Sequence, residues 1–72
     1  MKADNLVYKV RPCKDGGAFL LRNGRKIFPL PVSVRDSWNE ARRLARARGA
    51  IAELYDKNNK IKTGVSYAPV DA

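Results

Sequence analysis

The chain has no histidine and a single cysteine, Cys13, in 72 residues. The first absence removes the commonest general base and the commonest metal ligand together. The second excludes an internal disulfide and a thiolate zinc cluster. Acidic residues are scarce, 7 against 15 Lys and Arg, and no pair of carboxylates falls into a recognisable catalytic motif. No catalytic residue, cofactor or metal is therefore expected, and the chain reads as a non-enzyme. Cys13 lies beside Lys14 and near Arg11, and positive charge lowers a thiol pKa. With no base or second cysteine to work with, it reads as an incidental thiol. No apolar run approaches a membrane span and the N-terminus has no apolar signal core, so no membrane partner is expected and the cytoplasm is the expected compartment. Repeats, low-complexity tracts and linkers are absent too, which leaves one small domain, 1–72, with 1–5 and 68–72 expected to fray. That length is near the lower limit for folding without staples.

What is present is charge. The net charge is +8 and the apolar fraction is an ordinary 44%. Such an excess steers acidic partners or nucleic acid, or keeps a protein in solution.

One stretch is long and periodic enough to be a helix, Ser33 to Gly49, SVRDSWNEARRLARARG. Ser33 suits the N-cap, with Asp36 placed to complete a capping box. Gly49 suits the left-handed residue that ends a helix. At 100° per residue, Val34, Trp38, Ala41 and Ala45 form one stripe, with Ser37 and Leu44 beside it, and this is the expected buried face. The far side carries Arg35, Asn39, Arg42 and Arg46, with Arg43 at its edge. Glu40 is the only well-placed acidic neighbour, three residues before Arg43. Arg42 and Arg46 are like charges four apart, a cost of roughly 0.2–0.5 kcal/mol. The helix is thus not tuned for its own charge pairing. It presents either a solvated face or a surface for a polyanion.

Short strands flank the helix. Leu6–Arg11 alternates, with Leu6, Tyr8 and Val10 on one side and Val7, Lys9 and Arg11 on the other. Pro12 ends it, and Cys13–Gly17 is a turn. Ala18–Arg22 is the second strand, and Asn23-Gly24 is a type I′ hairpin signal. Arg25–Leu30 is the expected third strand, held to a sheet edge by Pro29 and Pro31. After the helix, Ile51–Tyr55 and Lys60–Tyr67 are strands joined by an Asp56–Asn59 turn, with an interruption expected at Gly64. The order β-β-β-α-β-β predicts an α+β domain, one helix packed on one face of a mostly antiparallel sheet. Tyr8, Val10, Leu20, Ile27, Trp38, Ala41, Ala45 and Leu54 are expected to be buried together.

Asp15-Gly16-Gly17, Ser33, Ala41-Arg42-Arg43-Leu44-Ala45, Gly49-Ala50, Asp56-Lys57-Asn58-Asn59-Lys60-Ile61 and Ser66-Tyr67 together resemble a small bacterial family. That family is known only as a domain of unknown function, number 2188. Its members share a GGW turn-strand, an A-R-x-x-A helix core, a G-A-E-L strand, a D-x-D-G-x-I hairpin and a closing S-Y-G. The resemblance spans most of residues 7–67. Ala18 departs from it in place of the tryptophan, Asn59 in place of the hairpin glycine, and Tyr55 where histidine is common. It implies the same fold and transfers no catalytic residue. It also implies that Ala18 and Leu20 point under the helix, while Phe19 and Leu21 face out. Val7, Lys9 and Arg11 would share that outer face, making an apolar patch ringed by cations. A register shift of one residue would reverse every side chain.

Two functions follow as expectations. The first is nucleic-acid binding, with Arg22, Arg25, Lys26, Arg35, Arg42, Arg43 and Arg46 as candidate contacts. The second is a protein-interaction module, of the phage- or plasmid-type accessory or inhibitor kind, docking an acidic protein through Val7, Lys9, Arg11, Phe19 and Leu21. Lys9 and Arg11 would repel their symmetry mates in a self-paired sheet, so a monomer or weak homodimer is expected.

Overall fold

A computed structural model of the chain describes residues 6–67. The ends expected to fray lie outside the described residues. The strands are β1 Val7–Pro12, β2 Gly17–Arg22, β3 Arg25–Lys26, β4 Val32–Ser33, β5 Ile51–Tyr55 and β6 Ile61–Ser66, with helix α1 Val34–Arg48 between β4 and β5. They form one sheet in the order β3-β2-β1-β5-β6, with β4 paired to β2. β1 and β5 run parallel and the other pairs antiparallel. The expected α+β architecture, one helix on a mostly antiparallel sheet, is what the chain forms.

The helix ends follow their local chemistry. The Asp36 backbone N–H donates to Ser33 Oγ at 3.1 Å, while the Asp36 carboxylate does not accept the reciprocal bond from the Ser33 N–H. Gly49 sits at φ 63°. The Ala50 N–H donates to the Ala45 carbonyl at 2.8 Å and the Gly49 N–H to Arg46 at 3.5 Å, the paired bonds of a Schellman ending.

The expected third strand stops early. Only Arg25 and Lys26 pair with β2, opposite Arg22 and Leu21. The Ile27 N–H still reaches the Leu20 carbonyl at 2.9 Å, but the chain then bends away through Pro29. It returns after Pro31 as β4, beside the other end of β2. Two prolines without N–H groups cannot sustain a continuous ladder. The return is tight: a Cβ on Gly17 would lie 3.1 Å from the Val32 carbonyl oxygen and 3.2 Å from Pro31 Cβ. In the last strand the ladder runs unbroken across Gly64, and the irregularity falls at Lys62, which is skipped between the Leu54–Thr63 and Tyr55–Ile61 pairs. Asn59 takes the positive φ, 63°, that a glycine would otherwise serve. Asp56 Oδ1 braces this turn by accepting from the Asn58 and Lys60 N–H groups at 2.9 and 3.0 Å.

The core consists of Tyr8, Val10, Ala18, Leu20, Ala41, Ala45, Ala50, Ala52 and Leu54. Its many alanines let the helix lie close on the sheet. Ser37, fully buried at the centre of the helix stripe, donates to the Ala18 carbonyl at 3.3 Å. Trp38 and Ile27, expected inside, are only half-buried and pack against the core from its margins. The reason is size: a stripe centred on Ser37, Ala41 and Ala45 leaves no gap deep enough for an indole. Trp38→Ala should therefore cost less than the roughly 3–5 kcal/mol of a buried aromatic.

Candidate functional site

The hairpin sets the first basic surface. Asn23 and Gly24 adopt φ 51° and 85°, the two positive values a type I′ turn needs. This places Arg25 directly opposite Arg22, while Tyr8 of β1 pairs with Arg22 on its other side. Side chains in register share a face of a sheet. Tyr8, Arg22 and Arg25 thus form a row across three strands on the helix-covered side, at its hairpin end. Arg48, from the last helical turn, joins them around a cleft of about 350 Å³, completed by Ile27, Leu44 and Lys26. No carboxylate lines this cleft.

The expected hairpin cluster therefore divides. The Lys26 ammonium is 4.0 Å from the centre of the Phe19 ring, so its charge belongs to the opposite face. Arg48 takes its place beside Arg22 and Arg25, a residue that sequence reasoning missed. The signal was available: Arg48 lies three residues after Ala45 and seven after Ala41, on the same stripe as the buried alanines. A cation in the last turn also suits the helix dipole, which gives Arg48 an ordinary reason to be there.

The second surface is the outer flank of the helix, where Asn39, Arg42, Arg43, Arg46 and Ala47 meet Tyr67 around a shallow depression. Two of its arginines are already engaged. Arg43 Nε donates to Glu40 Oε1 at 2.8 Å and Nη2 to the other oxygen. These bonds hold the Glu40 carboxyl below its ordinary pKa and raise that of Arg43. Arg42 Nη2 donates to Asn39 Oδ1 at 2.6 Å, and its guanidinium lies 5.7 Å from the centre of the Trp38 ring. Arg46 is exposed, and Arg35, exposed near the other end of the helix, is not part of the depression. Among the described residues, Arg43 is the one cation paired with a carboxylate.

The third surface is the uncovered sheet face. Lys9 pairs with Leu21 and Arg11 with Phe19, so Val7, Lys9, Arg11, Phe19 and Leu21 do share a face, as expected, and all are half-buried. The cations do not ring an apolar patch, however. They lie across it. Lys26 covers Phe19, while the Arg11 guanidinium and Lys9 ammonium lie 5.0 and 5.7 Å from the centre of the Tyr55 ring. Tyr55 in turn donates to Glu53 Oε1 at 2.9 Å, and Arg11 Nη1 donates to Asn59 Oδ1 at 2.7 Å. Tyr55 was not expected in this surface, although its spacing from Glu53 and Ile51 places it there.

Cys13 is half-buried in the β1–β2 turn, next to Pro12, Lys14 and Lys57. Among the described residues no helix is long and apolar enough to cross a membrane, and no group of three or more acidic or thiol side chains could hold a metal ion. No family model, curated protein or solved structure matches the chain.

Proposed function

We propose that this is a small, non-catalytic nucleic-acid-binding module that holds phosphate groups with the arginines on both sides of the C-terminal half of α1. One observation supports this reading most. Arg22, Arg25 and Arg48 converge on a single cleft whose lining includes no carboxylate. Like charges directly opposite in a sheet are destabilising, and Arg22 and Arg25 are such a pair. An anionic ligand turns that cost into binding free energy. Phosphate contacts require only suitably placed cations, and the guanidinium fork suits phosphate oxygens better than a lysine does.

A second reading has its own support. Lys9, Arg11 and Lys26 over Tyr55 and Phe19 give the open sheet face a positive cover, which favours an acidic protein there over an apolar partner or a second copy. Binding assays against single- and double-stranded DNA and RNA, titrated with salt, separate the two. Nucleic-acid binding weakens linearly on a log–log plot, with a slope near −0.9 per phosphate neutralised on duplex and about −0.7 on single strands. Reversing Arg42 and Arg46 to Glu should weaken binding without unfolding the helix, because both side chains are exposed. Absence of binding near 50 mM salt, where such contacts are strong, would remove the nucleic-acid reading and leave the acidic-protein one.

A further inference from the structure

We infer that the cleft between the hairpin and the end of α1 is a specific site for a phosphate monoester, the group carried by a nucleic-acid strand end or by a free nucleotide. This deepens the proposed function by naming the part of the ligand that the cleft holds.

Charge count is the first argument. Three arginines, Arg22, Arg25 and Arg48, line the cleft, and no acidic residue lines it with them. An internal phosphodiester brings one negative charge. A monoester brings about −1.5 to −2 at neutral pH and three acceptor oxygens. The helix end is the wrong pole for an anion, since its carbonyls carry partial negative charge. Attraction must therefore come from the side chains, and three converging arginines supply more than a diester requires.

The second argument is independent of charge. Tyr8 forms part of the cleft wall and is only 1% exposed. Its hydroxyl is buried without a hydrogen-bond partner among the described residues. A buried hydroxyl left unpaired is costly, and phenylalanine would fill the same space without that cost. Tyr8 pairs in register with Arg22, and through it with Arg25, so an oxyanion held by that row would supply the partner that the hydroxyl lacks. Arg48 adds an exposed cation to the cleft from the helix side. The apolar walls Ile27 and Leu44 give a sugar or base something to rest against. The volume, about 350 Å³, is at the small end of ligand clefts, enough for a terminal nucleotide.

The test uses one single-stranded oligonucleotide in three forms, with phosphate at its 5′ end, at its 3′ end, or at neither. Adenosine monophosphate and adenosine are the small probes. One phosphorylated form should bind about 10-fold more tightly than the unphosphorylated strand, the range expected of added charge-assisted hydrogen bonds. The monophosphate, and not adenosine, should shift the NMR signals of Tyr8, Arg22, Arg25 and Arg48. Tyr8→Phe should cut the phosphate preference about 5-fold while leaving the melting temperature unchanged or higher. Arg48→Gln, at an exposed position, should cut it without affecting the fold. Equal binding of all three strands would overturn the cleft assignment and leave general nucleic-acid binding standing. Binding of the monophosphate in the cleft without binding of any strand would overturn the nucleic-acid reading and identify a free nucleotide as the ligand. An undiminished preference in both variants would overturn the site.

Discussion

The two faces of the sheet are built from alternate residues of the same strands and reach burial by different means. Under the helix, Tyr8, Val10, Ala18 and Leu20 are at most 1% exposed, and the cover is a second layer of backbone brought close by Ala41 and Ala45. On the other side, Lys9, Arg11, Phe19 and Leu21 are each half-buried, and the cover is made by side chains. Lys26 lies over Phe19, and Arg11 with Lys9 over Tyr55. Long cationic side chains shield apolar surface with their stems while their heads stay in water, and the ring quadrupole adds attraction. Among the described residues no second helix covers the open face. Cations take that role, which accounts for part of the +8 charge without any ligand. The arginines of the cleft have no such explanation, because among the described residues the cation–ring contacts are made by Lys9, Arg11, Lys26 and Arg42 and not by them.

Adjacent leucines sharpen the comparison most. Leu20→Ala on the covered face should cost about 2–5 kcal/mol, enough to leave much of so small a domain unfolded. Leu21→Ala, one residue away on the open face, should cost under about 1.5 kcal/mol, less than the full burial of a leucine is worth. Chemical denaturation of both variants checks this, and equal losses would break the distinction between the faces.

Gly17→Ala comes next. The added methyl meets backbone at 3.1 Å, so the β2–β4 junction must open, at a cost of about 1–3 kcal/mol. The same denaturation experiment reads it, and a neutral result would mean that the Pro31–Val32 return yields to the added methyl without cost.

Smaller again is the cation cover. Phe19→Leu keeps an apolar residue but removes the ring beneath Lys26, and should cost about 0.5–1 kcal/mol. It should also leave Lys26 freer to pair with an acidic partner. A double-mutant cycle with Lys26→Met measures the coupling, and additive effects would remove the cation–ring contact from the account.

The least effect is on the helix surface. Glu40 has a lowered pKa because the Arg43 guanidinium donates to it. A carboxyl whose folded pKa lies below its unfolded value stabilises the fold above that unfolded value. The contribution is lost as pH falls through the folded pKa. Glu40→Gln should therefore lower the melting temperature slightly at neutral pH and leave it almost unchanged in acid, which makes it less sensitive to pH across the carboxylate range. An acid sensitivity unaltered by the substitution would mean that the pair contributes nothing.

Much of this arrangement can be read from local chemistry. Adjacent leucines leave the parity of β2 open, and only the family resemblance points Leu20 in and Leu21 out, but Asn23-Gly24 announces its turn and Ser33 and Gly49 mark the helix ends. Each depends on residues close in sequence. The failures share a cause as well. Ile27 and Trp38 look like core by type, but their depth depends on how closely the helix approaches the sheet, which the alanines and Ser37 decide. Lys26 sits in a basic hairpin by sequence, yet strand parity and the ring of Phe19 turn its charge to the other face. Arg48 reads as one more arginine of a basic helix until the row of Tyr8, Arg22 and Arg25 is seen beneath it. The cleft is made by strand register and helix placement together, and neither is written in a short motif.

The account holds that polyanion binding uses the helix side of the molecule, while cations on the open sheet face chiefly cover its rings. Salt dependence of single-strand binding tests this most directly, measured for the unmodified protein, for Arg22→Gln with Arg48→Gln, and for Lys9→Gln with Arg11→Gln. The first pair of substitutions should weaken binding and make the log–log slope shallower by about 1.4, near 0.7 for each lost phosphate contact. The second pair should leave the slope almost unchanged. A slope that flattens only when Lys9 and Arg11 are neutralised would contradict the account and move the binding surface to the open face of the sheet.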